Sequence, residues 1–103
     1  MRELDFKAVP NTAAAHAGPL TVSSTAVNLR DLVTLHADTQ VVLVSVETAS
    51  VRFTVNGTAP TSTLGFATLA GAYIRMSRNE ADLARFIRST GTDAALQVAQ
   101  YKD

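Results

Sequence analysis

The stretch from Gln40 to Val55, QVVLVSVETASVRFTV, places the tightest limit on what this chain can fold into. Val42, Val44 and Val46 recur at every second position, and Val51, Phe53 and Val55 do so again. Period two in apolar residues is the mark of a strand that buries one face. Thr48-Ala49-Ser50 is the only small-residue break between the runs, so the stretch reads as two strands or as one bent strand. No other stretch is as apolar, and every other strand candidate is shorter. This one is therefore placed at the centre of a small all-β sandwich.

A chain of 103 residues fits one domain. At that size roughly 65% of the unfolded surface can be buried, enough for a core without cross-links. There is no cysteine, which removes disulfides and thiolate metal sites from consideration and fits a reducing compartment. Nine Lys and Arg balance nine Asp and Glu, and seven of the nine cations are Arg. A neutral chain argues against nucleic acid as the main partner. It also repels copies of itself weakly, which suits packing against a repeating scaffold. The longest apolar run, Val41–Val44, is far short of the roughly 20 residues of a membrane helix, and the charged start Met1–Lys7 is not followed by a signal-peptide core.

Residues 1–19 read as an N-terminal arm and 20–103 as the sandwich domain. In the arm, Leu4, Phe6, Ala8 and Val9 form a short apolar patch, followed by Pro10, the Ala-rich Thr12–Ala17 and Gly18-Pro19. Leu4 and Phe6 are the anchors such an arm would use against a neighbouring subunit. Leu20–Val22 reads as a short strand, and Ala26–Leu35 as a strand with a bulge or bend near Arg30-Asp31. Asn56-Gly57 signals a turn, and Pro60 makes it a longer loop. Leu64–Leu69 and Ala72–Met76 read as strands joined at Ala70-Gly71. Ser77 and Glu80 have the spacing of a capping box for a short helix over Asn79–Ala84. Arg85–Ser89 then reads as a strand, with a longer helix through Arg88 as the rival reading. Ala94–Tyr101 closes the sheet, with Ala94, Leu96 and Val98 on one face. The expected fold is an immunoglobulin-like sandwich with an extended arm and at most one short helix.

Chemistry-bearing patterns are few. His16 and His36 are far apart and read as surface histidines, and no serine lies in a Gly-x-Ser-x-Gly elbow. No nucleophile–base pair, metal set or cofactor motif is apparent, so the chain reads as non-enzymatic, without cofactor or metal. Arg75, Arg78, Arg85 and Arg88 place four cations in fourteen residues. They read as solvated charges and inter-subunit contacts to carboxylates rather than a nucleic-acid patch. Phe53, Phe66, Tyr73 and Tyr101 are the aromatics to test for sugar stacking, with core packing as the competing role.

Two segments carry a family resemblance. Ser45-Val-Glu-Thr-Ala-Ser-Val-Arg-Phe-Thr-Val-Asn-Gly-Thr-Ala-Pro-Thr-Ser-Thr, followed by Gly65, is similar to a pattern in small structural proteins of tailed bacteriophages. Ala84-Arg-Phe-Ile-Arg-Ser-Thr-Gly-Thr-Asp-Ala-Ala-Leu-Gln-Val looks like the closing hairpin of the same proteins. The Val-Arg-Phe-Thr-x-Asn-Gly-Thr-x-Pro-Thr core also resembles a loop in small immunoglobulin-like domains appended to sugar-degrading enzymes. The resemblance implies a virion component, and first a capsid decoration (cement) protein made in the bacterial host cytoplasm and carried on the outer capsid surface. It implies the major capsid protein and copies of itself, commonly as a trimer, as partners, with neither nucleic acid nor membrane. Leu4, Phe6, Arg75, Arg78, Arg85 and Arg88 are the contact candidates. A tail or fibre component, or a glycan-binding host-attachment module, is the alternative.

Overall fold

The computed structural model describes residues 12–61 and 63–102. The elements follow in the order β1 (Thr12–Val22), β2 (Val27–Asn28), α1 (Leu29–Leu32), β3 (Val41–Glu47), β4 (Val51–Thr54), β5 (Phe66–Thr68), β6 (Tyr73–Ser77), α2 (Arg78–Leu83), β7 (Arg85–Arg88) and β8 (Ala94–Lys102). The strands form two four-stranded antiparallel sheets. Sheet 1 has the order β1-β8-β3-β6, and sheet 2 the order β2-β7-β4-β5. The all-β sandwich expected from the alternating runs is the architecture observed.

The central stretch is two strands, one in each sheet. Thr48, held at φ 74°, turns the chain between them, and the Ala49 amide closes the corner on the Glu47 carbonyl at 2.8 Å. Val42, Val44 and Val46 are completely buried on the inner face of β3. Leu96 and Val98 of β8 extend that face, while Val51 of β4 and Phe86 of β7 meet it from sheet 2. Each such side chain contributes about 1.5–3 kcal/mol through burial. Two-layer packing thus explains why both halves of the stretch alternate.

The capping box forms as its spacing predicts. The Ser77 hydroxyl accepts from the Glu80 amide at 3.1 Å, and the Glu80 carboxylate accepts from the Ser77 amide at 2.9 Å. Replacing Ser77 by Ala should lower stability by about 1 kcal/mol in a urea titration. An unchanged midpoint would mean that packing alone holds α2. The helix ends at Leu83, because Ala84 is extended and Arg85–Arg88 pair with both β2 and β4. The longer helix through Arg88 is thereby excluded.

The first correction concerns Ala26–Leu35 and the helix count. Ala26–Leu35 is not one bulged strand, and the fold has two short helices rather than at most one. β2 pairs only Val27 with Phe86 and Asn28 with Arg85, because β7 begins at Arg85 and Ala84 caps α2. Beyond Asn28 no strand is left to pair with, so the chain closes one helical turn, Val33 N–H to Leu29 C=O at 3.0 Å. The buried Leu29 fixes that turn to the core, and its amide donates to the Ala84 carbonyl.

The second correction concerns the arm. Thr12–Pro19, read as arm, is the first part of β1, paired along β8 from Thr12↔Lys102 to Val22↔Ala94. At Gly18 a Cβ would sit 2.4 Å from Gln97 Oε1 and 2.8 Å from the Leu96 carbonyl, so only glycine fits. Leu4 and Phe6 lie outside the described residues.

Candidate interaction surface

The four arginines that are near in sequence are separated by the fold, because β6 belongs to sheet 1 and β7 to sheet 2. Arg78, at the first turn of α2, donates to the carbonyls of His36 and Leu35 at 3.3 and 3.4 Å and pairs with Asp82 at 3.8 Å. Arg85 donates to the Gly57 carbonyl at 3.3 Å. Arg88 pairs with Asp93 across the turn before β8. These three fasten the chain's own loops. Arg75 instead stands exposed on the outer face of sheet 1, and among the described residues it enters no ion pair. Arg52, which the sequence did not single out, does the same work as Arg85: its Nη1 donates to the Gly65 carbonyl at 2.9 Å. The arginine cluster is thus not a single patch.

A row of aromatics crosses sheet 2 from core to solvent. Register pairs Phe86 of β7 with Phe53 of β4, and Phe53 with Phe66 of β5. Phe86 is fully buried and stacks on Phe53, with ring centroids 5.6 Å apart and planes at 24°. Phe66 meets Phe53 at the same spacing, tilted by 45°, but is 66% exposed. Of the aromatics proposed for sugar stacking, these two come together. Tyr73 lies on β6 and the half-buried Tyr101 on β8.

Beside Phe66 the Asn56-Gly57 turn opens a groove of about 450 Å³. Phe53, Val55, Leu64 and Phe66 supply its apolar wall, and Thr54, Asn56 and Thr58 its polar edge. The turn is built locally: Asn56 Oδ1 accepts from the Thr58 amide at 3.1 Å, the Thr54 hydroxyl donates to the Thr58 carbonyl, and Gly57 takes φ 86°. Gly65 lets the far side approach, since a Cβ there would meet the Phe53 carbonyl at 2.9 Å. The size suits a small ligand or one large side chain.

Leu64, Leu69, Tyr73 and Leu83 are also exposed, at 49%, 73%, 72% and 44%. Leu64, Leu69 and Leu83 escaped the sequence reading. Their signal is weak: each sits at an element's end beside polar or small residues, where burial has no period to follow. The two histidines, both exposed, lie on β1 and in the connection before β3. Among the described residues no three His, Asp or Glu side chains gather as a metal set, and no helix is long and apolar enough to cross a membrane.

Comparison with protein-family models, curated proteins and solved structures finds no match to this chain.

Proposed function

We propose that this chain is a bacteriophage capsid decoration protein, binding the outer head surface through the major capsid protein and stabilising the shell without catalysis. One observation supports the reading from the structural side. Exposed apolar residues lie on β5, on β6, beside them in the chain and at the end of α2, while Arg78, Arg85 and Arg88 are engaged in holding the chain's own loops. A rigid body with apolar edges and a quiet charge pattern is what a lattice-bound clamp needs, since many weak contacts gain strength by avidity. The phage-like segments Ser45–Thr63 and Ala84–Val98 give the reading its specific direction.

The test is co-sedimentation of the purified chain with heads of the phage stripped of it, counting copies per head at saturation. A saturable count that matches a symmetry class of the lattice supports the proposal; no binding to heads overturns it. Deleting residues 1–10 should leave folding intact, because β1 begins at Thr12, and should lower head affinity. Equal affinity for heads would remove the arm from the contact.

The Phe53–Phe66 groove favours a second reading, a glycan-binding attachment module. Its aromatic faces and flanking Asn56 and Thr58 are the groups that stack on and hydrogen-bond to a sugar ring. Saturable binding of cell-surface oligosaccharide, abolished by Phe66→Ala, would favour it over the capsid role.

A further inference from the structure

Among the described residues the two sheets leave four edge strands, and three of them are protected. β1 is broken by register shifts between Ala13 and Ala15 and between Ala17 and Leu20, and carries Pro19, which has no amide hydrogen. β2 has two residues and β5 three. Bulges, proline and brevity are the usual ways to stop an edge from pairing with another chain. β6 has none of them. Its five residues, Tyr73–Ser77, run against β3 in unbroken register from Val41↔Ser77 to Ser45↔Tyr73, with neither Pro nor Lys.

The backbone parity of β6 is fixed. The Val46 amide donates to the Ala72 carbonyl and the Arg78 amide to the Gln40 carbonyl. With no register shift between these points, residues 72, 74, 76 and 78 turn their backbone groups to β3. Tyr73, Arg75 and Ser77 turn theirs outward, to the free edge. The exposed side chains of these same residues alternate with the half-buried Ile74 and the buried Met76.

We propose that β6 is a self-association edge, pairing antiparallel with β6 of a second copy about a two-fold axis at Ile74. Charge rules out the fully overlapped register, and an aromatic partner for Arg75 favours the axis at Ile74 over one at Met76, which would set Arg75 opposite the partner's Ser77. Antiparallel pairing through the outward groups requires odd residues to face odd residues. An axis at Arg75 would set Arg75 opposite Arg75 of the partner subunit, a like-charge pair. An axis at Ile74 sets Tyr73 opposite the partner's Arg75, and Arg75 opposite the partner's Tyr73. Each pair exchanges both ladder hydrogen bonds and lays a guanidinium against a phenol ring. Tyr73, Ile74 and Arg75 of each β6 then face one another, three residues a side, so the dimer is transient. It differs from the trimer that the family resemblance implies, and it holds whether or not the chain binds a capsid.

The test is sedimentation equilibrium of the full chain over a concentration series, with circular dichroism of each variant. The 10.9 kDa chain should approach twice its mass as concentration rises. Tyr73→Lys places a cation opposite the partner's Arg75 at both pairs and should raise the dissociation constant at least about tenfold. Adding Arg75→Glu to that variant should restore dimerisation, by placing lysine opposite glutamate. Because the chain has no cysteine, Ile74→Cys gives a clean register probe that does not depend on the Tyr73 variants folding. Residues opposed at a non-hydrogen-bonded pair sit about 4.5 Å apart at Cα, within disulfide reach, so oxidation should trap the dimer through Cys at 74. A monomer at every concentration, a trimer, no response to Tyr73→Lys, no recovery in the double variant, or oxidation that traps Arg75→Cys in preference to Ile74→Cys would each overturn the proposal.

Discussion

Replacing Phe86 by Ala should remove about 3–5 kcal/mol of stability, the largest loss expected from any single truncation in the chain. Phe86 is the largest of the fully buried side chains. It sits on β7, inside sheet 2, between Val27 of β2 and Phe53 of β4. Its ring stacks on Phe53, so alanine forfeits the transfer of the ring from water, leaves a cavity between the sheets and breaks an aromatic pair. Set against the roughly 5–15 kcal/mol of an ordinary domain, that loss is enough to unfold a marginal one. A urea titration measures it, and the slope with denaturant should stay unchanged if only stability is affected. Phe86→Leu should cost far less, since it keeps most of the volume. A loss below about 1 kcal/mol for the alanine variant would show that the core is not centred on β7.

The second large effect is expected at Gln100. This side chain is 3% exposed, yet it is polar. Its Oε1 accepts from the His36 amide at 3.0 Å and from the Thr39 hydroxyl at 2.8 Å, and its Nε2 donates to the Thr34 carbonyl at 2.8 Å. One glutamine thus holds the connection from α1 to β3 against the last strand. Gln100→Leu keeps the bulk but leaves the buried Thr39 hydroxyl without its partner and strips two backbone groups of theirs. The expected cost is about 2–3 kcal/mol. Amide hydrogen exchange at His36 should accelerate in the variant before the strands themselves open. Exchange at the wild-type rate would mean that the connection is held elsewhere.

The alternation of Val42, Val44 and Val46 marked β3, and the pairing of Ser77 with Glu80 marked α2, because local spacing decides both. α1 was not legible for the opposite reason. Whether Leu29–Leu32 continues a strand depends on where β7 begins, at Arg85, far along the chain, and Val27-Asn28-Leu29-Arg30-Asp31-Leu32-Val33 carries apolar residues at spacings that suit either form. β1 escaped in part because alanines and Gly18-Pro19 read as breakers; its stability comes from partnership with β8 rather than from its own pattern. Gln100 was readable in principle. It continues the inward phase of Ala94, Leu96 and Val98, and a polar residue in that phase calls for a buried partner set. On the surface, Arg75, Arg78, Arg85 and Arg88 are neighbours in sequence, but the crossing from β6 to β7, which sequence adjacency hides, sends them to different places. The exposed leucines follow no period, so only the folded chain shows that they neighbour the groove and the open edge.

The place of β8 in sheet 1 also sets the order in which this chain can fold. β8 lies between β1 and β3, yet it follows both of them, and every other strand, in sequence. Until it is present, β1 has no partner and β3 has only β6. The β1–β8 pair closes a loop that contains nearly the whole described chain, Thr12 to Lys102, and loop closure of that length precedes any return from the contacts it makes. Folding should therefore be slow for a domain of this size, in milliseconds to seconds. The β3–β6 and β4–β7 pairs can form earlier and wait, with Val42, Val44 and Val46 uncovered, for the strand that completes them.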